Sequence, residues 1–307
     1  MVTHSHFLLA DIGGTHARFA HASPLYGPTD IRRYKVADFK NFYEAANLYI
    51  SDVNPPELTH AGIAVAAPTT GEEALISANG WSISAAEAMI EWNLRYVKIE
   101  NDLAAQARGI HHGLCAAPIT LLPGVPASGP QLILGIGTGF NAAIVNNGQV
   151  IAGELGHAAL TTQDDAVWAY LKNPNQRPPV RIIEDVLSGR GLENIYAAQT
   201  GQPIDIVTLL ARLNAEDPAA ICAFDLFAAV LCETIEKQAA AVLPMGGIFL
   251  CGGMAAKLKS TLKSNLFSNK IKSLNDPLNL WKRVPIHLIE DDFAALHGMY
   301  KALFPSL

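Results

Sequence analysis

The chain has 307 residues, half of them hydrophobic and only 16% charged, with a formal net charge of −6. That composition excludes a disordered chain, and the length allows two domains of ordinary size with sizeable cores. The acidic balance gives no general attraction to nucleic acid or an anionic membrane, and four scattered cysteines without a CxxC pair suggest neither a zinc ribbon nor a disulfide framework.

No secretory leader is expected, because MVTHSH lacks Lys and Arg and the apolar run behind it stops at Asp11. The stretch FLLADIGGTHARFAHA, Phe7 to Ala22, reads as strand, tight turn and second strand, since a short apolar run is followed by the Gly13–Gly14 pair. Backbone N–H groups of such a turn can face an anion. Gly13, Gly14 and Thr15 suit a polyphosphate, and Asp11 suits the Mg²⁺ that accompanies it, directly or through water. An ordinary glycine-rich hairpin with an exposed acid is the alternative.

Ile31 to Val36 is expected as a third strand, and Phe39 to Asp52 as a helix with Phe42, Ala45, Ala46 and Tyr49 at helical spacing. A parallel strand follows in HAGIAVAAP, His60 to Pro68. Next come a short strand at Ala74 to Ser77 and a helix capped at Ser84 and running through Trp92. The strand Tyr96 to Glu100 delivers the chain into NDLAAQARGIHHG, a helix with Asn101 or Asp102 as its cap. His111 and His112 near the end of that helix are expected at the surface. Pro118 to Pro130 is a loop or edge segment by its prolines and glycines.

QLILGIGTGFNAAIV, Gln131 to Val145, repeats the opening pattern of apolar strand, glycine-threonine turn and apolar strand, as a duplicated domain would. Asn146 to Gln149 is a hairpin turn, Asp164 to Leu171 a helix, and NPNQRPP a loop. RIIEDVLSGRGLENIYAAQTG reads as two helical pieces interrupted at Ser188–Gly191. From Ile204 to Leu243 the pattern is helical with a break at Pro218. Its apolar second half contains Asp225, Glu233, Glu236 and Lys237, which favours a core helix over a membrane span. GGIFLCGGMAAKL repeats strand, Gly-Gly turn and helix, Val284 to Ile289 is a closing strand, and Phe293 to Leu303 a final helix. The alternation is that of a layered α/β protein with mixed sheets.

The pieces DIGGTHARFA, AAPTTG, NDLAAQA, GIGTGFNAA, GELGH, EDVLSGRGLENIY and FLCGGM, in this order, resemble the bacterial glucokinase family of the hexokinase and actin-like ATPase superfamily. The cysteine-rich zinc motif of the related ROK sugar kinases is missing. The resemblance implies a two-domain actin-like ATPase (ribonuclease H-like) fold with mixed sheets flanked by helices and an active site in the inter-domain cleft. It implies a small domain of residues 1–108 plus 294–307 and a large domain of residues 109–293. The implied activity is phosphoryl transfer from ATP, with Mg²⁺, to the 6-hydroxyl of a hexose, foremost glucose.

Carried over residue by residue, Asp102 is the candidate catalytic base, with a helix cap as its other reading. A hydroxyl attacking phosphorus must lose a proton, and a carboxylate within hydrogen-bond reach accepts it, contributing about 10²–10⁴ in rate. Asn79, Asn101, Asp102, Glu154, His157 and Glu184 fall on sugar-contacting positions. Asp11, Gly13, Gly14 and Thr15 match the first phosphate loop, Gly137, Thr138 and Gly139 the second, and Gly252–Gly253 the turn beside the nucleoside. Zinc at Glu154 and His157 is the rival reading of that pair, and it lacks further ligands.

Three departures from the family bear on the sugar. His16 stands where Asn is common, Ser77–Ala78 replace a Thr-Asn pair with Asn79 shifted one place, and Arg190 replaces a proline. A kinase for another hexose, amino sugar or sugar acid, or a sugar sensor without catalysis, is therefore the alternative. The expected partners are a small-molecule sugar and ATP, with no nucleic acid and no membrane; a homodimer is left open, and the expected location is cytoplasmic.

Overall fold

The computed structural model describes residues 5–125, 127–173, 179–274, 276 and 279–304. The chain divides into two units, Met1–Cys115 with Asp292–Leu307, and Ala116–Asp291. The boundary expected at 108 lies inside the helix Asp102–His111, all of which belongs to the first unit.

The first unit is built on β1 (His6–Ile12), β2 (His16–Ser23) and β3 (Gly27–Lys35), a meander whose β1 continues into parallel pairing with β4 (Leu58–Val65), which pairs in parallel with β7. Between β3 and β4 lies α1 (Phe42–Val53); after β4 come the hairpin β5 (Glu73–Ile76) and β6 (Trp81–Ser84), α2 (Ala85–Glu91), β7 (Tyr96–Asn101) and α3 (Asp102–His111). The sheet order is β3-β2-β1-β4-β7. β1 is apolar without alternation because both its faces are covered. Leu8, Ala10 and Ile12 pack with Phe42 and Tyr49 of α1, while Phe7 and Leu9 pack with Ala295 and Met299 of the C-terminal helix Ala294–Leu303.

Asn41 caps α1 by accepting from Glu44 N–H at 2.9 Å, so the helix starts three residues after the expected Phe39, and Ser84 caps α2 as its sequence indicated. Small residues bring α3 and the C-terminal helix together: a Cβ at Gly298 would fall on the Ala105 carbonyl oxygen, and one at Gly109 would lie 2.7 Å from the Ala294 carbonyl oxygen.

The second unit repeats the arrangement. β9 (Gln131–Ile136), β10 (Phe140–Asn146) and β11 (Gln149–Ala152) form a meander, and β9 pairs in parallel with β12, which pairs in parallel with β13. The order is β11-β10-β9-β12-β13-β8, with β8 (Ile119–Leu122) an antiparallel edge strand on β13 (Ile286–Leu288). The segment 118–130 thus contains an edge strand. Positive φ at Asn147 and Gly148 makes the tight hairpin turn between β10 and β11. Helices α4 (Asp165–Leu171), α5 (Gly189–Thr200), α6 (Ile206–Asn214) and α7 (Pro218–Val242) precede β12 (Ile248–Cys251), followed by α8 (Gly253–Lys257), α9 (Lys259–Leu262) and α10 (Asn265–Ser273). Most of the expected loop NPNQRPP lies outside the described residues.

Pro218 is the first residue of α7 and Asp217 caps it, so the expected break is a helix start. The helix has the length and apolarity of a membrane span, and 72% of its most apolar window is buried inside the protein. Glu233 is satisfied there: its Oε1 accepts from Thr162 Oγ1, Gln163 N–H and Asp164 N–H, each at 3.0 Å.

Candidate active site

In the first unit, the carboxyl ends of the parallel strands β1, β4 and β7 carry the residues singled out by sequence. Ile12 is opposite Val65, and Val65 is opposite Asn101, so the Gly13–Gly14 turn and the Asn101–Asp102 junction share one sheet end, two strands or about 10 Å apart. Ligands of open α/β sheets bind at such ends.

Gly13 N–H donates to the His16 carbonyl at 3.0 Å and closes the first turn. The β5–β6 hairpin touches this turn. Asn79 Nδ2 donates to the Gly13 carbonyl at 3.2 Å, its Oδ1 accepts from Trp81 N–H at 2.9 Å, and a Cβ at Gly14 would lie 2.9 Å from Ala78 Cβ. Asn79 therefore braces the glycine turn. Asp11 is only 7% exposed, and its Oδ2 accepts from Arg18 Nη1 at 2.9 Å. Burial pushes the Asp11 carboxyl above its ordinary value, against the pull of the Arg18 guanidinium. Burial, Arg33, Arg18 and Lys35 hold the His16 imidazole below its ordinary value. These cations of β2 and β3 beside the first turn escaped the sequence reading, although ARFA and IRRYK carry them.

Asn101, rather than Asp102, caps α3: its Oδ1 accepts from Leu103 N–H at 3.0 Å and Ala104 N–H at 3.2 Å, and its Nδ2 donates to the Ala67 carbonyl at 3.4 Å. Asp102 is the first helical residue, half-buried, with Oδ1 accepting from Leu103 N–H at 2.7 Å. Beneath it, Glu100 of β7 pairs with Arg108 of α3, and Lys98 Nζ stands 3.9 Å from the same Glu100 oxygen. Glu100 Oε2 and Arg108 Nε are buried without hydrogen-bond partners.

In the second unit, the Gly137–Gly139 turn ends β9 and Gly252 ends the neighbouring parallel strand β12. Gly252 has φ 95° and a Cβ there would lie 2.6 Å from the Ile136 carbonyl oxygen, so only glycine fits this close crossing. Gly253 begins α8 and faces open space. Glu184 meets the turn directly: Phe140 N–H donates to its Oε2 at 3.1 Å, and a Cβ at Gly139 would fall on that oxygen. The segment bearing Glu154 and His157 is drawn to the same place. Leu155 N–H donates to Asn141 Oδ1 at 2.9 Å, and Gly156 packs on the Phe140 carbonyl so closely that a Cβ would overlap it.

Glu154 and His157 side chains are exposed, flanking a short helical turn at Leu155–His157. Thr138 is exposed at the tip of its turn. Sequence reading missed Asn141 and Ser188 as organisers. Ser188 is fully buried, donates to the Glu184 carbonyl at 2.9 Å and caps α5 by accepting from Gly191 N–H at 3.0 Å. The helix-start serine ahead of a glycine pair was the available signal.

A family model described as Glucokinase matches residues 8–304. The chain is 30% identical to the glucokinase of Chelativorans sp. (strain BNC1), with 95% of this chain and 89% of that one covered. Among solved structures, a glucokinase from an Antarctic psychrotroph is similar with a TM-score of 0.83 and 24% identity, covering 98% of this chain and 99% of that chain. A ROK family glucokinase from Streptomyces griseus, solved with glucose and AMPPNP, is similar with a TM-score of 0.70 and 14% identity over 97% and 99% of the two chains. The structural likeness shows the actin-like ATPase fold, and with a family match over nearly its whole length the chain belongs to the glucokinase family.

Proposed function

We propose that Asp102 is the general base of this chain, that Asn101, Glu154, His157 and Glu184 hold the sugar, and that the three glycine turns hold the nucleotide. Membership of the glucokinase family makes the protein an ATP-dependent sugar kinase acting on glucose; the residue roles and the 6-hydroxyl as acceptor are our reading. The observation that carries it is the placement of the β7–α3 junction. Asn101 caps the helix, and Asp102, half-buried at its first turn, stands at the same carboxyl end of the sheet as the Gly13–Gly14 turn.

As the sugar hydroxyl oxygen forms its bond to the γ-phosphorus, the bond from that phosphorus to the β,γ-bridging oxygen breaks, and the hydroxyl proton passes to Asp102. Gly14, Thr15, Thr138 and Gly139 offer N–H and hydroxyl donors to the phosphates, Gly13 and Gly137 close the two turns by donating to the His16 and Gly139 carbonyls, and Gly252 and Gly253 lie beside the nucleoside. Among the described residues no group of three His, Cys, Asp or Glu side chains forms a cation cage. A lone carboxylate such as Asp11, with one oxygen engaged by Arg18, suits Mg²⁺ ligated mainly by phosphate oxygens and water. Bound there, Mg²⁺ would neutralise phosphate charge. Asn79, with its amide engaged at Gly13 and Trp81, fits bracing of the first turn better than sugar contact. A cytoplasmic location suits the use of ATP and four cysteines that form no disulfide among the described residues.

The test is ADP formation, followed by a coupled assay, over a panel of hexoses, amino sugars and sugar acids. Glucose is expected to give the highest kcat/KM, and Asp102→Asn to lower kcat by at least about 10² with little change in glucose KM. Near-full activity of Asp102→Asn would remove Asp102 as base; faster turnover of another sugar would reassign the substrate.

A further inference from the structure

We propose that Glu184 couples sugar binding to nucleotide binding, because one carboxylate serves as a sugar contact and as the seat of the Gly137–Gly139 turn. The inference rests on the assignment of Glu184 to the sugar and of that turn to the phosphates.

Two observations join the groups. The first N–H after the turn, that of Phe140, donates to Glu184 Oε2 at 3.1 Å. Gly139 leaves room for this oxygen, and any Cβ there would displace it. The backbone beneath Glu184 is fixed on both sides. Ser188 Oγ donates to the Glu184 carbonyl at 2.9 Å, and Ile183 N–H donates to the Ala158 carbonyl at 3.0 Å. The carboxylate end is therefore the part that can respond to a ligand, with Oε2 held by the Phe140 N–H at the turn.

The sign of the coupling follows from charge. A carboxylate against a phosphate-binding turn repels the phosphates. A sugar hydroxyl donating to it draws off part of that negative charge, so bound sugar eases the approach of the nucleotide. Coupling between two ligands is reciprocal: nucleotide must tighten sugar by the same factor. No movement of the turn is required, only a shift in how one carboxylate shares its lone pairs.

The experiment uses the full chain, glucose and AMPPNP in equilibrium titrations. Wild type is expected to bind AMPPNP at least about fivefold more tightly in saturating glucose, and glucose equally more tightly in saturating AMPPNP. Gly139→Ala meets the flexible end of a side chain rather than backbone, so the fold should survive. It should weaken glucose binding at least fivefold in the absence of any nucleotide, although Gly139 lies on the nucleotide side. Glu184→Gln keeps an acceptor for Phe140 N–H and removes the charge; it should tighten AMPPNP in the absence of sugar and reduce the coupling below twofold. Nucleotide-free glucose affinity of Gly139→Ala within twofold of wild type, or full coupling in Glu184→Gln, would overturn the proposal. Glucose affinity unchanged in Glu184→Ala would instead overturn the sugar assignment beneath it.

Discussion

The side chain of Asn79 joins two segments far apart in sequence, donating to the Gly13 carbonyl at 3.2 Å while accepting from Trp81 N–H at 2.9 Å. Asn79→Ala removes both bonds and frees the first glycine turn from the β5–β6 hairpin. A neutral hydrogen bond contributes about 0.5–1.5 kcal/mol net, which corresponds to roughly a fivefold rise in the KM for ATP with the glucose KM within twofold of wild type. Steady-state kinetics with each substrate varied separates the roles. A rise confined to the glucose KM would make Asn79 a sugar contact instead.

The Glu100–Arg108 pair is tested by breaking it and then removing it. Their side chains are 18% and 15% exposed. Arg108→Met should destabilise by about 1–3 kcal/mol because Glu100, largely buried, loses its hydrogen-bonded partner and keeps only Lys98 at 3.9 Å. Glu100→Gln combined with Arg108→Met should recover most of that loss in urea unfolding. If the double variant is no more stable than Arg108→Met, an uncompensated charge is not the cause.

Acid should destabilise the fold below about pH 6.5. Burial holds His21, His60 and His287 below their ordinary value of 6.5. For each, the unfolded chain binds the proton more readily, so stability is fully present above pH 6.5 and is lost as pH falls toward the folded value. His21 Nε2 also lies 2.8 Å from His6 Nδ1, a hydrogen bond that cannot survive protonation of both rings. Melting temperatures between pH 5 and 8 should decline on the acid side, and His21→Gln should flatten that decline.

Two glycine substitutions should part stability from function. Gly298→Ala drives a Cβ into the backbone of α3 at Ala105, which cannot yield as a side-chain end would. The expected cost is at or above the upper end of about 1–3 kcal/mol, with kcat falling because Asp102 begins the same helix. Gly253→Ala enters open space and should leave the melting temperature unchanged. A rise in its KM for ATP, measured kinetically, would then report contact with the nucleotide.

Much of this architecture is legible locally. Glycine pairs punctuate apolar runs at Ile12–Gly14 and Cys251–Gly253, and the Asn-Gly turn before β11 has few other conformations open to it. Ser84 and Asn101 announce their helices by hydrogen bonds that reach only two or three residues. The pairing of β8 with β13, the brace from Asn79 to Gly13 and the seat of Gly139 on Glu184 are different in kind. They join residues distant along the chain, where no periodicity records the partner. Asn79 shows the consequence: sequence places it beside Trp81, and only the fold shows that it also reaches the Gly13 carbonyl.

The C-terminal helix covers the face of β1 that carries Phe7 and Leu9, and presses its glycine onto α3. During synthesis the first unit therefore emerges with that face bare and cannot finish until residues 294–303 follow. The second unit, continuous from Ala116 to Asp291, carries all of its own sheet. At roughly 5–20 residues per second the gap is on the order of ten to forty seconds. The half that begins first is completed last, and in the interval its exposed apolar strand is the surface a chaperone would meet.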